Sequence, residues 1–195
     1  NVTFGMFFQY GGAGSTIDGN DIKNNMGYGI CILSGSNYII TGNTIEANVD
    51  SGLNIDGGAD ASVGTGSRIL NNTITGNDAN GIAINTGSNY VIAENPEING
   101  NGINGINFSG GGTGSRIEYN SISGNTHGIA IGSGLNYVIR INTMEGNTIG
   151  IILLGNGTGT RVEYNTITYN NNYGVSLNVT GIDLGGGAQH SAGHN

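Results

Sequence analysis

The stretch RIEYNSISGNTHGIAI (Arg116–Ile131) returns, with small changes, as RILNNTITGNDANGIAI (Arg68–Ile84), and aligning the two on their asparagines exposes a repeat that runs through the chain. Its principal column is Asn20, Asn43, Asn72, Asn95, Asn120, Asn142 and Asn165, with successive separations of 23, 29, 23, 25, 22 and 23 residues. Self-similarity at that period is the signature of stacked supersecondary units. Three residues before each asparagine stands Ile17, Ile40, Ile69, Ile92, Ile117, Ile139 or Val162. Two residues after it stands Ile22, Ile45, Ile74, Ile122, Met144 or Ile167, with Ile98 displaced by one through the insertion at Pro96.

A second asparagine column follows (Asn25, Asn48, Asn77, Asn101, Asn125, Asn147, Asn170), and then a glycine column from Gly29 to Gly174 that opens a short strand with inward pairs such as Ile82/Ile84 and Ile106/Phe108. Three short apolar segments per repeat, separated by Asn or Gly corners and with no helical period, describe three parallel sheets wound around one core. The fold expected is all-β, a right-handed parallel β-helix (β-solenoid) of about seven coils of 22–29 residues, the hand following from the preference of parallel crossovers. At about 4.8 Å per coil the rod is on the order of 40 Å long. One domain is expected over 1–195, divided into an apolar N-terminal strand (1–13), the coils (14–180) and a Gly-rich C-terminal segment (181–195).

Coils come in pairs. Tyr38, Tyr90 and Tyr137 precede alternate asparagines by five residues, and Ser15, Ser67, Ser115 and Thr160 hold that column elsewhere, so large and small side chains are expected to interleave. Glu118, Arg140 and Glu163 on consecutive coils predict a surface salt-bridge ladder contributing at most about 1 kcal/mol per pair. Asparagines at coil spacing can donate to one neighbour and accept from the next, which assigns their columns to the scaffold. The glycine column is expected to supply unusual backbone angles at a corner.

The phrase xIxxNxIxxNxxGIxI, over roughly residues 14–177, resembles the repeat of the right-handed parallel β-helix superfamily, the pectin-lyase-like group of secreted proteins. The resemblance implies the fold. For function it implies a choice among lyases, hydrolases, epimerases, tailspikes and non-catalytic surface proteins.

Composition narrows that choice. The chain of 195 residues carries 13 acidic and 5 basic side chains, a net charge of −8, which repels phosphate backbones and argues against nucleic-acid binding. Glycine supplies 39 positions and proline one, which favours turns over helices, and the spaced isoleucines argue for a folded chain. No stretch approaches the roughly 20 apolar residues that span a bilayer. The single cysteine, Cys31, can form no internal disulfide and is read as an inert thiol. The first residue is Asn1, which is read as a processed mature form or an excised segment, and an extracellular or cell-surface location is expected.

Polysaccharide-cleaving enzymes need clustered carboxylates, and Asp50, Asp56, Asp60 and Asp78 occupy or flank the longest insertion, 56–66. They fall in different columns and read as loop acids, with calcium at Asp56 and Asp60 as the metal reading; no other cofactor is expected. His127 stands beside a corner glycine, while His190 and His194 lie in the Gly-rich tail without a partner carboxylate or Cys. Arg68, Arg116 and Arg161 on alternate rungs could meet an acidic polymer or shield a sheet face. Thr73/Thr75, Ser121/Ser123 and Thr166/Thr168 suggest an ice-binding array, but Asp21/Lys23, Thr44/Glu46, Pro96 and Thr143/Glu145 interrupt it. Five Asn-x-Ser/Thr triplets, from Asn1, Asn71, Asn107, Asn156 and Asn178, fit a surface protein.

The ends carry the remaining signal. Val2, Phe4, Met6, Phe8 and Tyr10 alternate onto one face of an apolar strand that needs a partner, either its own first coil or the last coil of another copy. The leading functional expectation is a non-catalytic structural or adhesive solenoid that self-associates end to end. The rival is a polysaccharide-active enzyme or binding module using the face with the alternate-coil loops at 56–66, 109–114 and 155–159.

Overall fold

A computed structural model describes residues 3–185, so Val2, His190, His194 and Asn195 lie outside the described residues. Three parallel sheets run the length of the rod. The first holds eight strands, from Met6–Phe8 through Ile30–Ile32 and Leu53–Ile55 to Tyr173–Leu177; the second holds seven, from Thr16–Asp18 to Arg161–Glu163; the third holds seven, from Asp21–Lys23 to Thr166–Thr168. One coil takes one strand from each, and every pairing is parallel to the equivalent strand of the next coil. The isoleucine columns meet rung on rung: Ile40 opposite Ile69, Ile92 opposite Ile117, and Ile98 opposite both Ile74 and Ile122, so the Pro96 insertion is absorbed at the corner without loss of register. These side chains form the buried core.

Both asparagine columns point inward and bond in one direction. In the principal column each Nδ2 donates to the Oδ1 of the next coil, Asn20 to Asn43 and onward to Asn165, at 2.8–3.1 Å. The same oxygen accepts the preceding asparagine's backbone N–H, as from Asn43 to Asn72 at 3.0 Å, and the Nδ2 also reaches an isoleucine carbonyl of the coil before. The second column repeats this from Asn25 to Asn170 at 2.8–3.2 Å. These two corners are thus closed by side chains that satisfy backbone groups the turns would otherwise strand.

Left-handed backbone sits immediately before each inward asparagine: Gly19, Gly42, Asn71, Glu94, Tyr119, Ile141 and Tyr164 in one column, Asn24, Ala47, Gly76, Gly100, Gly124, Gly146 and Tyr169 in the other. That residue turns the chain and aims the next side chain at the axis. The glycine column was expected to do this and does something else. Gly105 has an ordinary φ, but a Cβ there would sit 2.6 Å from Ile122 Cγ2 and 2.7 Å from the Gly128 carbonyl, so close coil packing requires the glycine.

The paired-coil pattern resolves at the third corner. The N–H of Tyr38, Tyr90 and Tyr137 donates to the hydroxyl of Ser67, Ser115 and Thr160 on the following coil. Each ring lies in the core, and its hydroxyl donates to loop carbonyls, for example Tyr137 to Gly111 at 2.7 Å and Ser133 at 2.8 Å. Phe108 packs edge-on between Tyr90 and Tyr137. The expected salt-bridge ladder is also altered. Arg116 and Arg140 clamp Glu118 at 2.6 and 2.7 Å, with the carboxylate only 8% exposed, whereas Glu163 pairs with Arg161 on its own strand at 3.4 Å. The clamp is a buried feature with an exposed rim.

Candidate binding groove on the first sheet

The first sheet alternates inward aliphatics with an outward column of small side chains: Cys31, Asn54, Ala83, Asn107 and Ala130. Cys31, Asn54, Ala83 and Ala130 are buried although they face away from the core, because taller residues flank them. The result is a shallow groove over these coils, ended in the same column by Phe7 and Ile152.

One wall is a directional chain of hydrogen bonds. His127 Nδ1 lies 2.7 Å from Asn104 Oδ1, Asn104 Nδ2 donates to Asn80 Oδ1 at 2.8 Å, Asn80 Nδ2 donates to Ser51 Oγ at 3.3 Å, and Ser51 Oγ donates to Asp50 Oδ1 at 3.4 Å. A carboxylate only accepts, so Asp50 favours donation running toward it and a proton on His127 Nδ1, which leaves Nε2 as an acceptor. Burial holds the His127 pKa below the usual imidazole value, favouring the neutral ring. On the other side Ser109 Oγ donates to Asn85 Oδ1, Asn85 Nδ2 to Asn54 Oδ1 at 3.3 Å, and Asn54 Nδ2 to Cys31 Sγ at 3.9 Å.

At the first two coils the groove is acidic. Tyr28 and Asp50 stand on one side, and Leu33, Asp56, Gly57 and Gly58 line a 320 Å³ depression on the other. Burial and then the neighbouring Asp50 push the Tyr28 hydroxyl up; burial also raises the Cys31 thiol, against the hydrogen bond from Asn54 and together with the charges of Asp56 and Asp50. Among the described ion pairs neither aspartate has a cationic partner.

The acids named from sequence divide accordingly. Asp50 and Asp56 share this groove. Asp56 Oδ1 also accepts the Gly58 N–H at 2.8 Å, and Asp60 Oδ1 accepts the N–H and hydroxyl of Ser62 at 2.9 and 2.6 Å, so both brace the loop. Those bonds to Ser62 pull the Asp60 pKa down. Among the described residues no group of three or more His, Cys, Asp or Glu side chains is placed to hold a metal ion. Sequence reading missed Tyr28, Asn80, Asn85 and Asn104 as groove residues, although the small outward column from Cys31 to Ala130 was visible as a parity pattern.

The apolar N-terminal strand lies beside its own first coil. Met6, Phe7 and Phe8 pair in parallel with Ile30, Cys31 and Ile32, with Met6 and Phe8 packed against the core. Phe4 stacks between Phe7 and Tyr28, while Tyr10 leaves the expected face and is 87% exposed.

A family model described as right handed beta helix region matches residues 1–122. With the three-sheet winding and in-register coils, that decides the family. The chain belongs to the right-handed beta helix family. No curated protein matches this right-handed beta helix. No helix among its described residues is long and apolar enough to cross a membrane.

Proposed function

We propose that the chain is a non-catalytic extracellular solenoid with a structural or adhesive role, whose copies add end to end. One observation carries the reading: the inward polar side chains are committed coil after coil to the two asparagine ladders, a construction that stiffens a rod. End-to-end addition is supported by register in the first sheet. Val175, in the last described strand, occupies the column of Met6, and Leu177 that of Phe8. Met6, Phe8 and Val175 are half-buried hydrophobics in the first and last described strands of that sheet, so apposing these two coils would remove apolar surface from water. Sedimentation velocity tests this: the unaltered chain forms elongated oligomers, and Met6→Lys breaks them. A chain that stays monomeric at all concentrations contradicts it.

The rival reading, action on or binding to polysaccharide, is favoured by Asp50 and Asp56 opening onto one groove with Tyr28. A screen of acidic and neutral polysaccharides, with and without calcium, separates the readings. Cleavage lost in Asp50→Asn or Asp56→Asn establishes the enzyme and removes the structural reading; calcium-dependent cleavage or melting lost on changing Asp56 and Asp60 to Asn establishes the metal.

A further inference from the structure

Asparagine followed by glycine is the pair most prone to rearrange, because the glycine nitrogen reaches the asparagine side-chain carbonyl with no Cβ in the way. The chain holds five such pairs: Asn80-Gly81, Asn99-Gly100, Asn101-Gly102, Asn104-Gly105 and Asn156-Gly157. The fold ties down four of them. The N–H groups of Gly81, Gly100 and Gly102 donate to the carbonyls of Asn104, Ser123 and Asn77 at 2.8, 3.0 and 2.8 Å. Gly105 lies inside the strand Asn104–Phe108, which pairs with the next coil. The side chains ahead of these glycines are held as well: Asn101 in the second ladder, Asn80 and Asn104 in the groove wall, and Asn99 by Glu97 at 3.3 Å. Rearrangement at these four pairs has to wait for a coil to open.

Asn156-Gly157 is built differently. It lies in the 155–159 loop with Asn156 exposed, and among the described residues neither the Gly157 N–H nor Asn156 Nδ2 donates a hydrogen bond. Asn156 Oδ1 instead accepts two, from the Thr158 N–H at 3.1 Å and the Thr158 hydroxyl at 2.7 Å. Both donors meet the atom on which negative charge builds when a nucleophile adds to Cγ. The attacking nitrogen is uncommitted, the carbonyl is polarised and the leaving amide is unanchored.

We propose that Asn156 is a self-modifying site, at which the folded loop converts asparagine to aspartate and isoaspartate with water as the co-reactant. The Gly157 nitrogen adds to Asn156 Cγ; the N–Cγ bond forms, the Cγ–Nδ2 bond breaks, and Nδ2 departs as ammonia with the proton of the Gly157 amide. Water then opens the cyclic imide at either carbonyl, giving aspartate or a β-linked isoaspartate. The place matters for the rod. A Cβ on Gly157 would sit 2.7 Å from Ile182 and 3.1 Å from Val179, the half-buried residues that pack the last described segment onto the core. The Gly159 N–H donates to the Gly181 carbonyl at 3.2 Å, and the Asp183 N–H to the Thr160 carbonyl at 3.0 Å. Isoaspartate adds a main-chain carbon beside these contacts, so modified copies hold residues 179–183 less firmly. The site needs no partner and goes beyond the end-to-end reading.

The test is timed incubation of the purified chain in mildly alkaline buffer, folded and in urea, with peptide mapping for the mass gain of NH2 replaced by OH and for isoaspartate. In urea all five pairs convert at rates of the same order. In the folded chain Asn156 converts about tenfold or more faster than any of the other four. Asn156→Gln abolishes the fast conversion, and Thr158→Val, which keeps the backbone donor and removes the hydroxyl, slows it about tenfold. A folded chain in which Asn156 stays intact while the urea sample converts, or in which another pair converts first, overturns the site; an unchanged rate in Thr158→Val overturns the part given to the hydroxyl. Hydrogen exchange of the separated, more acidic product reads the consequence: faster exchange at the Gly159 and Asp183 amides is expected, and exchange equal to that of the unmodified chain overturns the loosening.

Discussion

Asn72 donates from Nδ2 to Asn95 Oδ1 across one coil at 3.1 Å, and the same oxygen accepts the Asn72 backbone N–H at 2.9 Å. Asn95 in turn donates to the Ile69 carbonyl and to Asn120. Asn95→Ala therefore strands the buried Asn72 backbone N–H and takes one bond each from Asn72 Nδ2, the Ile69 carbonyl and Asn120 Oδ1, although Asn72 Nδ2 still reaches the Ile40 and Leu70 carbonyls and Asn120 Oδ1 still accepts the backbone N–H of residue 95. A loss of about 3 kcal/mol or more is expected in urea unfolding, against a smaller loss for Asn20→Ala at the half-exposed end of the ladder.

Glycines separate by mechanism. Gly105→Ala forces a Cβ against Ile122 and the Gly128 carbonyl, and costs about 2–3 kcal/mol as overpacking. Gly76→Ala meets nothing within 4 Å and carries only the left-handed penalty at φ 61°, about 1 kcal/mol. Thermal melts of the two variants check the order.

The columns that build the rod were legible because each is a repeated side-chain requirement: Asn120 and Ile117 recur in every coil with the same job. The groove was not legible. Asp50 and His127 belong to different coils and connect only through Ser51, Asn80 and Asn104, each an ordinary polar residue in its own repeat. Glu118 read as a surface charge because parity places it outward, whereas arginines on two coils cover it. Tyr119 and Ile141 drew no attention because nothing in the sequence announces a left-handed turn when glycine is absent.

The Glu118 clamp predicts a modest but salt-resistant contribution. Glu118→Gln removes the charge from two short contacts whose guanidinium partners are partly solvated, costing about 1–2 kcal/mol. Arg116→Ala and Arg140→Ala are expected to be non-additive in a double-mutant cycle because they share one carboxylate.

Alkaline pH weakens the fold through the core tyrosines. Burial raises the pKa of Tyr90 and Tyr137 above the usual phenol value, and both hydroxyls donate to carbonyls. Above pH about 10 the unfolded chain loses these protons while the folded chain keeps them, so stability falls by about 1.4 kcal/mol per pH unit for each group. Ultraviolet titration follows the phenolates and circular dichroism the fold. Tyr90→Phe and Tyr137→Phe flatten the alkaline limb.

End-to-end growth is tested most directly by electron microscopy of the purified chain beside a variant lacking residues 1–10, with circular dichroism establishing that the variant keeps its strands. The unaltered chain gives filaments built from rods joined end to end, and the deletion, which removes Met6 and Phe8 from the joining face, leaves single short rods. Monodisperse short rods in both preparations contradict the account.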